Sequence, residues 1–345
     1  MRTLFCSALF AAPLLLAADR PLDRVALQVE EGQSCTRTIE LKSTLELVEQ
    51  SQLFDGEEQP GSGEMEREET RELVVVVSDE VLAADEGRAT RVSRSYDELE
   101  ESTQSYMSHP MMPEAMENEM EAESELTERT VVFAEDEDGE MIATFEGDDD
   151  ADDPMLRGLE QDMDLSAFLP EGEVSEGDTW SVDAMALDAL LSPGGALKLV
   201  PEGMDASVFI EMEAEQEPEY DGEIEVEYSG LREVDGAELA VVSVSIDVSL
   251  EVDRTEMLNN MQAEGDVPEG MVLPEFDVAE ERNTWEGDGE ILWDLENGRL
   301  HSASFELDLE QENYQEMSIE FGGSGHEIES SETMAGSFEL TISVE

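Results

Sequence analysis

The chain has 345 residues, of which 39% are hydrophobic, and its 91 acidic and 17 basic side chains give a formal net charge of −74 at pH 7. This balance excludes a nucleic-acid partner, because such binding depends on basic side chains that neutralise phosphates. Self-repulsion of this size destabilises a compact chain in dilute buffer, so we expect a salt-adapted protein. High charge is also typical of disorder, but the patterned apolar residues favour a folded chain with some disordered acidic loops.

Residues 1–18 have the three parts of a secretory signal peptide: a positive start at Arg2, an apolar run over 4–16, and small residues before Asp19. The run is shorter than the roughly 20 residues that a membrane span needs, and no later stretch is apolar enough. We therefore expect an exported protein of the periplasm, cell envelope or extracellular space, without a transmembrane segment. Cys35 would then remain alone, which favours a buried apolar residue over a reactive thiol.

Apolar and polar residues alternate in several long runs, which predicts strands with one buried and one solvated face. The clearest run spans residues 237–252, where every even position from Val242 onward is apolar. Similar alternation occurs around Ile39, Ile224 and Phe338. Such strands belong to antiparallel sheets that expose one face to water, and the acidic residues are expected on that face.

Two parts of the chain repeat the same order of predicted elements: a strand, an acidic turn with glycine, a longer strand, a methionine-rich insert and a hairpin. The corresponding segments are 70–100 and 221–251 for the strand pair, and 129–145 and 289–305 for the hairpin. Asp-Gly and Asn-Gly within the hairpins are favoured two-residue turns. This order indicates an internal duplication. The alternative is that antiparallel proteins reuse the same turn chemistry.

The predicted fold is therefore mainly β and antiparallel, with two pseudo-repeated curved sheet units, short helical inserts and a partly helical connector. The predicted domains are a signal peptide at 1–18, an N-terminal β repeat at 19–145, an acidic, helical connector at 146–203, and a C-terminal β repeat at 204–345. Within the connector, the spacing of leucine and methionine predicts helices over 154–169 and 182–191.

The connector also carries a Gly-Asp-Thr-Trp element, formed by Gly177, Asp178, Thr179 and Trp180, after a proline and a turn that contains valine. This element resembles one that lies between two β-rich halves in uncharacterised exported bacterial β-proteins, known as domains of unknown function. Residues 25–33 resemble the opening strand and Gly-Gln turn of the same proteins. The resemblance implies a fold and export, and no activity is attached to it.

The two inserts are rich in methionine. They contain Met107, Met111, Met112, Met116 and Met120 in the first, and Met257 and Met261 in the second. Met112, Met116 and Met120 are four residues apart, so a helix would place them on one face. With His109 nearby, these thioethers could form a Cu(I) site, because soft ligands select that ion. We favour an apolar cover over the sheet, since the second insert lacks histidine and packing explains both inserts.

Catalytic motifs are lacking in the sequence: it has no G-x-S-x-G elbow and no H-E-x-x-H zinc motif. The aspartates of 148–153 do not have the EF-hand spacing, so only weak divalent cation binding is expected. We predict a non-enzymatic exported protein without a cofactor, with a binding or structural role and an apolar or lipid-like ligand under the methionine-rich inserts. The alternatives are an exported hydrolase with an unrecognised site and an acidic cation-binding scaffold.

Overall fold

Long antiparallel strands make up most of the computed structural model, which describes residues 23–58, 65–110, 112, 114–148, 150–201, 219–264, 274–321 and 324–345. The strands are β1 (Ser34–Phe54), β2 (Glu57–Glu58), β3 (Glu66–Asp85), β4 (Arg88–Ser108), β5 (Met116–Ser124), β6 (Thr130–Glu135), β7 (Met141–Phe145), β8 (Thr179–Val182), β9 (Leu199–Pro201), β10 (Glu219–Val234), β11 (Ala237–Asp253), β12 (Glu275–Asp294), β13 (Arg299–Phe321) and β14 (Ser324–Val344). The helices are α1 (Asp188–Leu191) and α2 (Thr255–Glu264), with 3₁₀ turns at Pro154–Leu156, Ser166–Phe168 and Ala184–Leu187. The predicted mainly β, antiparallel class is confirmed, while the predicted signal peptide lies outside the described residues.

The described strands form one sheet, in the order β7-β6-β4-β3-β1-β14-β13-β12-β11-β10-β8, with β2, β5 and β9 paired beside this path. The first and last long strands meet in the middle of the sheet, where Arg37 of β1 lies opposite Val344 of β14. Beside β1 lie β3, β4, β6 and β7, in this order from the centre to the margin. Beside β14 lie β13, β12, β11 and β10, so in this half the chain approaches the centre as it proceeds from β10 to β13. Both sides are antiparallel meanders.

One face of the sheet and the connector share a hydrophobic core. The alternation predicted for β11 is confirmed, because Val242, Val244, Ile246 and Val248 are each at most 2% exposed. The connector supplies the opposite side of the core, with buried side chains at Leu156, Phe168, Leu187 and Leu190, among others. The ring of Phe168 packs against that of Phe305 on β13, with centroids 6.2 Å apart. The connector therefore lies against the sheet and contributes to its core.

The β6–β7 and β12–β13 turns are longer than two residues, so the prediction of two-residue turns in these hairpins is wrong. Gly139 and Gly298 have φ values of +89° and +59°, but the residue before each glycine does not have a positive φ. Asp136 and Asp294 explain the difference, because each carboxylate accepts two backbone N–H groups of its loop. Two-residue turns with a positive φ at both positions occur instead at Glu86-Gly87 and Asp235-Gly236.

The first methionine-rich insert contains a strand, so the helix predicted there is wrong. β5 pairs with the end of β4, from Met107 opposite Met116 to Glu100 opposite Glu123. β6 pairs only with residues 91–95 of β4, so the backbone groups of β4 after residue 95 have no hydrogen-bond partners on β6. The insert supplies the missing hydrogen bonds by becoming a strand, and this pairing outweighs its helical pattern.

The second insert begins with α2, which covers the part of β12 that extends beyond β11. The Asn259 side chain accepts the N–H of Phe276 and donates to its carbonyl, with both bonds at 2.9 Å. The Thr255 hydroxyl accepts the N–H of Ala279 at 2.8 Å. These side chains hydrogen-bond the strand where the neighbouring strand has ended, so α2 protects an exposed sheet edge.

The connector contains only short helical turns, and the two long helices predicted for it are wrong. The carboxylates of Asp153, Asp162 and Asp183 each accept the N–H two residues ahead, at 2.9, 2.8 and 2.9 Å. Such local bonds compete with regular helical hydrogen bonds. Gly158 and Leu165 have φ values of +73° and +55°, which interrupt any right-handed helix. The apolar residues of the connector are therefore buried from an irregular backbone.

Candidate functional site

A groove of about 1050 Å³ runs along β8, the strand at one margin of the sheet. All four residues of β8 line this space, together with chain on both sides of the strand, and we call it the β8 groove. Its apolar lining includes Leu169, Val174, Trp180, Val182, Met185 and Ala186. Met185 is 61% exposed and Trp180 is half-buried. The groove therefore presents apolar side chains to solvent beside the backbone of a marginal strand.

The Gly-Asp-Thr-Trp element forms the turn that leads into β8. Gly177 has a φ of +86°, a conformation that favours glycine. The Asp178 carboxylate accepts the N–H of Ser175 at 2.8 Å and so closes the turn. The Gly177 N–H donates to the carbonyl of Tyr228 on β10 at 2.7 Å. These residues fix the point at which the connector joins the sheet.

Trp180 links the same element to the core. Its indole Nε1–H donates to the carbonyl of Phe168 at 3.1 Å, and its ring packs against the core cluster. Thr179 is exposed on the other face of the strand. The element thus positions one aromatic wall of the β8 groove, and its residues have structural roles that the sequence did not specify.

The side of β8 that faces away from β10 has no strand partner among the described residues. On the paired side, the Tyr228 N–H donates to the carbonyl of Asp178 at 2.9 Å. Because hydrogen-bonded positions alternate along an antiparallel pair, Trp180 and Val182 direct their backbone groups toward β10. The N–H and C=O of Ser181 therefore point toward the open edge. An extended chain in this position would find a donor and an acceptor.

A buried cluster of two arginines and two aspartates joins the connector to the opposite half of the sheet. Arg37, Asp79, Arg94 and Asp164 are each no more than 9% exposed, and we call them the Arg-Asp cluster. Asp79 accepts from Arg37 at 2.7 Å and from Arg94 at 2.8 and 2.9 Å. Arg37 also donates to both carboxylate oxygens of Asp164 at 2.7 Å. Arg94 donates in addition to two connector carbonyls.

The two carboxyls of the Arg-Asp cluster respond differently to burial. Burial acts to raise the pKa of Asp79, but the charges and hydrogen bonds of Arg94 and Arg37 outweigh it and hold this pKa below its usual value. Burial prevails at Asp164 and raises its pKa, although Arg37 opposes the effect. Burial also raises the pKa of the neighbouring Cys35 thiol, which makes it a poor nucleophile at neutral pH. The cluster is suited to holding the connector in place.

The predicted methionines are spread over different elements. Met107 and Met116 lie opposite each other on β4 and β5, and Met112 lies in the loop between these strands. Met116 and Met120 are 55% and 37% exposed. The predicted common helix face of Met112, Met116 and Met120 is wrong, because β5 is a strand. The remaining predicted residues are Met257, which is half-buried on α2, and Met111 and Met261, whose side chains lie outside the described residues.

The outer face of the second half carries a groove of about 650 Å³ lined by acidic side chains. The carboxylates Glu286, Asp288, Glu306, Asp308 and Glu339 are neighbours across β12, β13 and β14, and we call them the acidic ladder. Within the described part of the chain, no group of three or more His, Cys, Asp or Glu residues is placed to hold a metal ion. Nor is any helix there long and apolar enough to cross a membrane.

His326 contacts the turn that follows β1. Its Nδ1 lies 2.8 Å from Oδ2 of Asp55, and its ring stacks on Phe54 with centroids 5.0 Å apart. The hydrogen bond to His326 lowers the pKa of the exposed Asp55 carboxyl. This contact joins the end of β1 to the start of β14, so it has a clear structural role.

No protein-family model and no curated protein matches the chain. The proposed likeness to exported bacterial β-proteins, drawn from the Gly-Asp-Thr-Trp element and residues 25–33, therefore remains a prediction.

Sequence reasoning missed the Arg-Asp cluster, although a signal for three of its members was present. Arg37 is in phase with the buried Ile39, and Asp79 is in phase with Val77. Arg94 is likewise in phase with the buried Tyr96. A charged residue on the apolar phase of a strand is costly unless it is paired, so such positions predict a buried ion pair. Asp164 lies on irregular backbone and gave no such signal.

Proposed function

We propose that this chain is an exported, highly acidic, non-enzymatic binding protein of the cell envelope or its surroundings. Its β8 groove would bind an extended polypeptide segment, which adds a strand to the open edge of β8. The observation that carries the proposal is the position of the groove along all four residues of a strand without a second partner among the described residues. The signal peptide pattern of residues 1–18 supports export.

The chemistry of the groove supports an extended peptide as ligand. In strand addition, backbone hydrogen bonds supply affinity and side-chain pockets supply specificity. Ser181 offers the outward backbone groups, while Trp180 and Met185 offer apolar contacts within the groove. Glu171, Asp178 and Asp183 also line the groove, which favours a ligand with basic side chains.

The β8 groove is a better candidate than the space beside the first methionine-rich insert. That space is lined by polar and charged residues, including Glu68, Gln104, Glu117 and Glu119. An apolar or lipid-like ligand under this insert would have to displace water from carboxylates, which is costly. We therefore propose the marginal strand as the ligand site in place of the insert.

Changing Ser181 to proline is expected to weaken peptide binding at least about tenfold, since the outward donor is lost and the ring blocks the edge. Protein is purified from the exported fraction of its host, where its first residue should be Asp19. The probe is a short synthetic peptide of alternating lysine and valine, and its affinity is measured calorimetrically in about 0.5 M NaCl to suppress unspecific attraction.

Ser181→Ala is the matched control, because it keeps the N–H and should bind like the parent. Proline should be tolerated here, since an edge strand accepts it where the N–H faces away from the ladder. Equal affinity of the parent and Ser181→Pro would reduce the binding to charge attraction and reject the groove as its site. Recovery of the protein only inside the cell, with residues 1–18 retained, would reject export.

We also propose that the chain arose by internal duplication of a four-strand unit, with β3-β4-β6-β7 as one copy and β10-β11-β12-β13 as the other. The two units have the same strand order, and both inserts follow the second strand of their unit. In an experimental structure, the two units should superpose strand by strand in this order. A best superposition shifted by one strand would reject the duplication.

A further inference from the structure

The β4–β5 hairpin gathers sulfur and imidazole side chains at one end of the sheet. Met107 and Met116 form the last cross-strand pair before the loop. His109 and Met112 lie within that loop, and the Met112 N–H donates to the His109 carbonyl at 2.9 Å, which folds the loop back on itself. Four residues with soft or borderline ligand atoms are thus confined to one hairpin tip.

Packing does not account for Met116. Met116 is 55% exposed, and its strand neighbours Glu117 and Glu119 are exposed as well. Where the chain uses methionine in its core, it buries the side chain: Met163 is 2% exposed and Met334 is 1% exposed. The packing role had depended on a helix that would turn its methionines toward the sheet, and β5 is not a helix. Met116 therefore needs a role other than packing, whereas Met107 and Met112 are half-buried beside it.

We propose that the tip of the β4–β5 hairpin is a Cu(I) site, with Met107, Met112 and Met116 as thioether ligands and His109 as imidazole ligand. Thioethers are soft ligands that select Cu(I) over hard divalent ions. Opposite residues in an antiparallel pair have Cβ atoms about 4.5–5.5 Å apart, so the flexible side chains of Met107 and Met116 can converge on one ion. Met111 lies outside the described residues and is not one of the proposed ligands.

The charges around the tip are compatible with a cation. Arg67 lies opposite Met107 on the other side of β4. Its guanidinium is ion-paired with Glu332 at 2.8 Å and with Glu69 at 3.3 Å, so its charge is compensated. The net charge of the whole chain is strongly negative, which raises the local concentration of any cation. Selectivity then depends on the sulfur ligands, because carboxylates occur over the whole surface.

Met120 provides a matched control on the same strand. It lies opposite Thr103 and is also exposed, at 37%. A strand advances about 3.3 Å per residue, so Met120 is about 13 Å from Met116 and cannot share one ion with the tip. Leucine in place of methionine conserves volume and apolar character, which keeps the hairpin folded while removing the sulfur.

The test is an anaerobic Cu(I) titration against a competing chromogenic chelator, with Cys6 and Cys35 changed to serine so that no thiol contributes. We expect one tightly bound Cu(I) per chain, retained in excess Ca²⁺ or Zn²⁺. Met107→Leu and Met116→Leu should each lower the affinity at least about tenfold, as should His109→Ala. Met120→Leu should leave it unchanged, and X-ray absorption should show both sulfur and nitrogen around the copper.

Three results would overturn the site. One is failure of the protein to compete with the chelator. Another is unchanged affinity in the double variant Met107→Leu, Met116→Leu. The third is displacement of the copper by Ca²⁺, which would assign the binding to surface carboxylates. Circular dichroism of each variant shows whether a loss of binding reflects a lost ligand or a lost fold, and a folded variant without binding supports the site.

Discussion

Asp79→Asn is expected to lower the free energy of unfolding by about 3–5 kcal/mol, because it removes one partner of a buried ion pair and leaves the other charged. Arg94 would keep its bonds to two connector carbonyls but lose the carboxylate charge of Asp79, and Arg37 would keep only the carboxylate charge of Asp164. The asparagine has almost the same shape, so the loss reports charge and not packing. Urea denaturation at about 1 M NaCl, where surface repulsion is screened, measures the change.

Asp164→Asn is the matched control within the same cluster and should cost less than half as much. Burial already raises the pKa of Asp164, so ionising it in the folded protein is unfavourable and removing its charge is partly compensated. After this change, Arg37 and Arg94 still share the charge of Asp79. Equal losses in the two variants would contradict the unequal roles assigned to these carboxylates.

The stabilising contribution of Asp79 also has a definite pH dependence. Its pKa is lower in the folded than in the unfolded chain, so the contribution is complete above the unfolded value of about 4. It is lost as pH falls through the folded pKa, where the carboxylate becomes protonated. Asp164 acts in the opposite direction, because a raised carboxyl pKa costs stability as pH rises above the unfolded value. The Asp79→Asn variant should therefore lack the acid-sensitive contribution of Asp79.

Raising NaCl from about 0.01 M to about 1 M is expected to increase the Tm by about 10 °C or more, because the screening length falls from about 30 Å to about 3 Å. The acidic ladder shows why the effect is large. Glu306 lies directly between Asp288 and Glu339 on neighbouring strands, and like charges in such positions repel. Differential scanning calorimetry over this salt range makes the measurement, and a constant Tm would show that the repulsion is negligible.

Glu306→Lys tests the same repulsion at a single position. The variant should be more stable than the parent at low salt, and the difference should shrink at about 1 M NaCl. Glu310→Lys is the matched control, because it makes the same charge change on the same strand between two uncharged neighbours, Thr284 and Ala335. If both variants gain equally, net charge and not the ladder sets the salt dependence.

The sequence predicted the fold correctly where buried residues recur with one clear spacing along the chain. The alternation in β11 has period two and matches only a strand. In the first insert, Met112, Met116 and Met120 are four apart, and this spacing keeps residues on one side of a helix and also on one side of a strand. The unpaired end of β4 decided between them, and that information lies in distant residues.

The candidate site could be predicted only in part, for a similar reason. The Gly-Asp-Thr-Trp element marked the right segment, but its role depends on hydrogen bonds to Tyr228 and Phe168, which no local pattern reveals. The open edge of β8 follows from the strand order of the whole sheet. The Arg-Asp cluster joins residues that are 127 positions apart, Arg37 and Asp164, so only the charged residues on the apolar phase of the strands could have indicated it.

The central pairing of β1 with β14 has a consequence for how the chain folds. These strands lie about 300 residues apart in sequence, and their pairing extends over nearly the whole length of β1. Contacts of such separation form slowly, because the entropy of closing the intervening chain must be lost before they are gained. Each meander can form from local contacts, but the strand pairing that makes them one sheet forms only after β14 has been synthesised. Loss of the C-terminal strand would thus divide the sheet at its centre, whereas loss of β7 would merely narrow it.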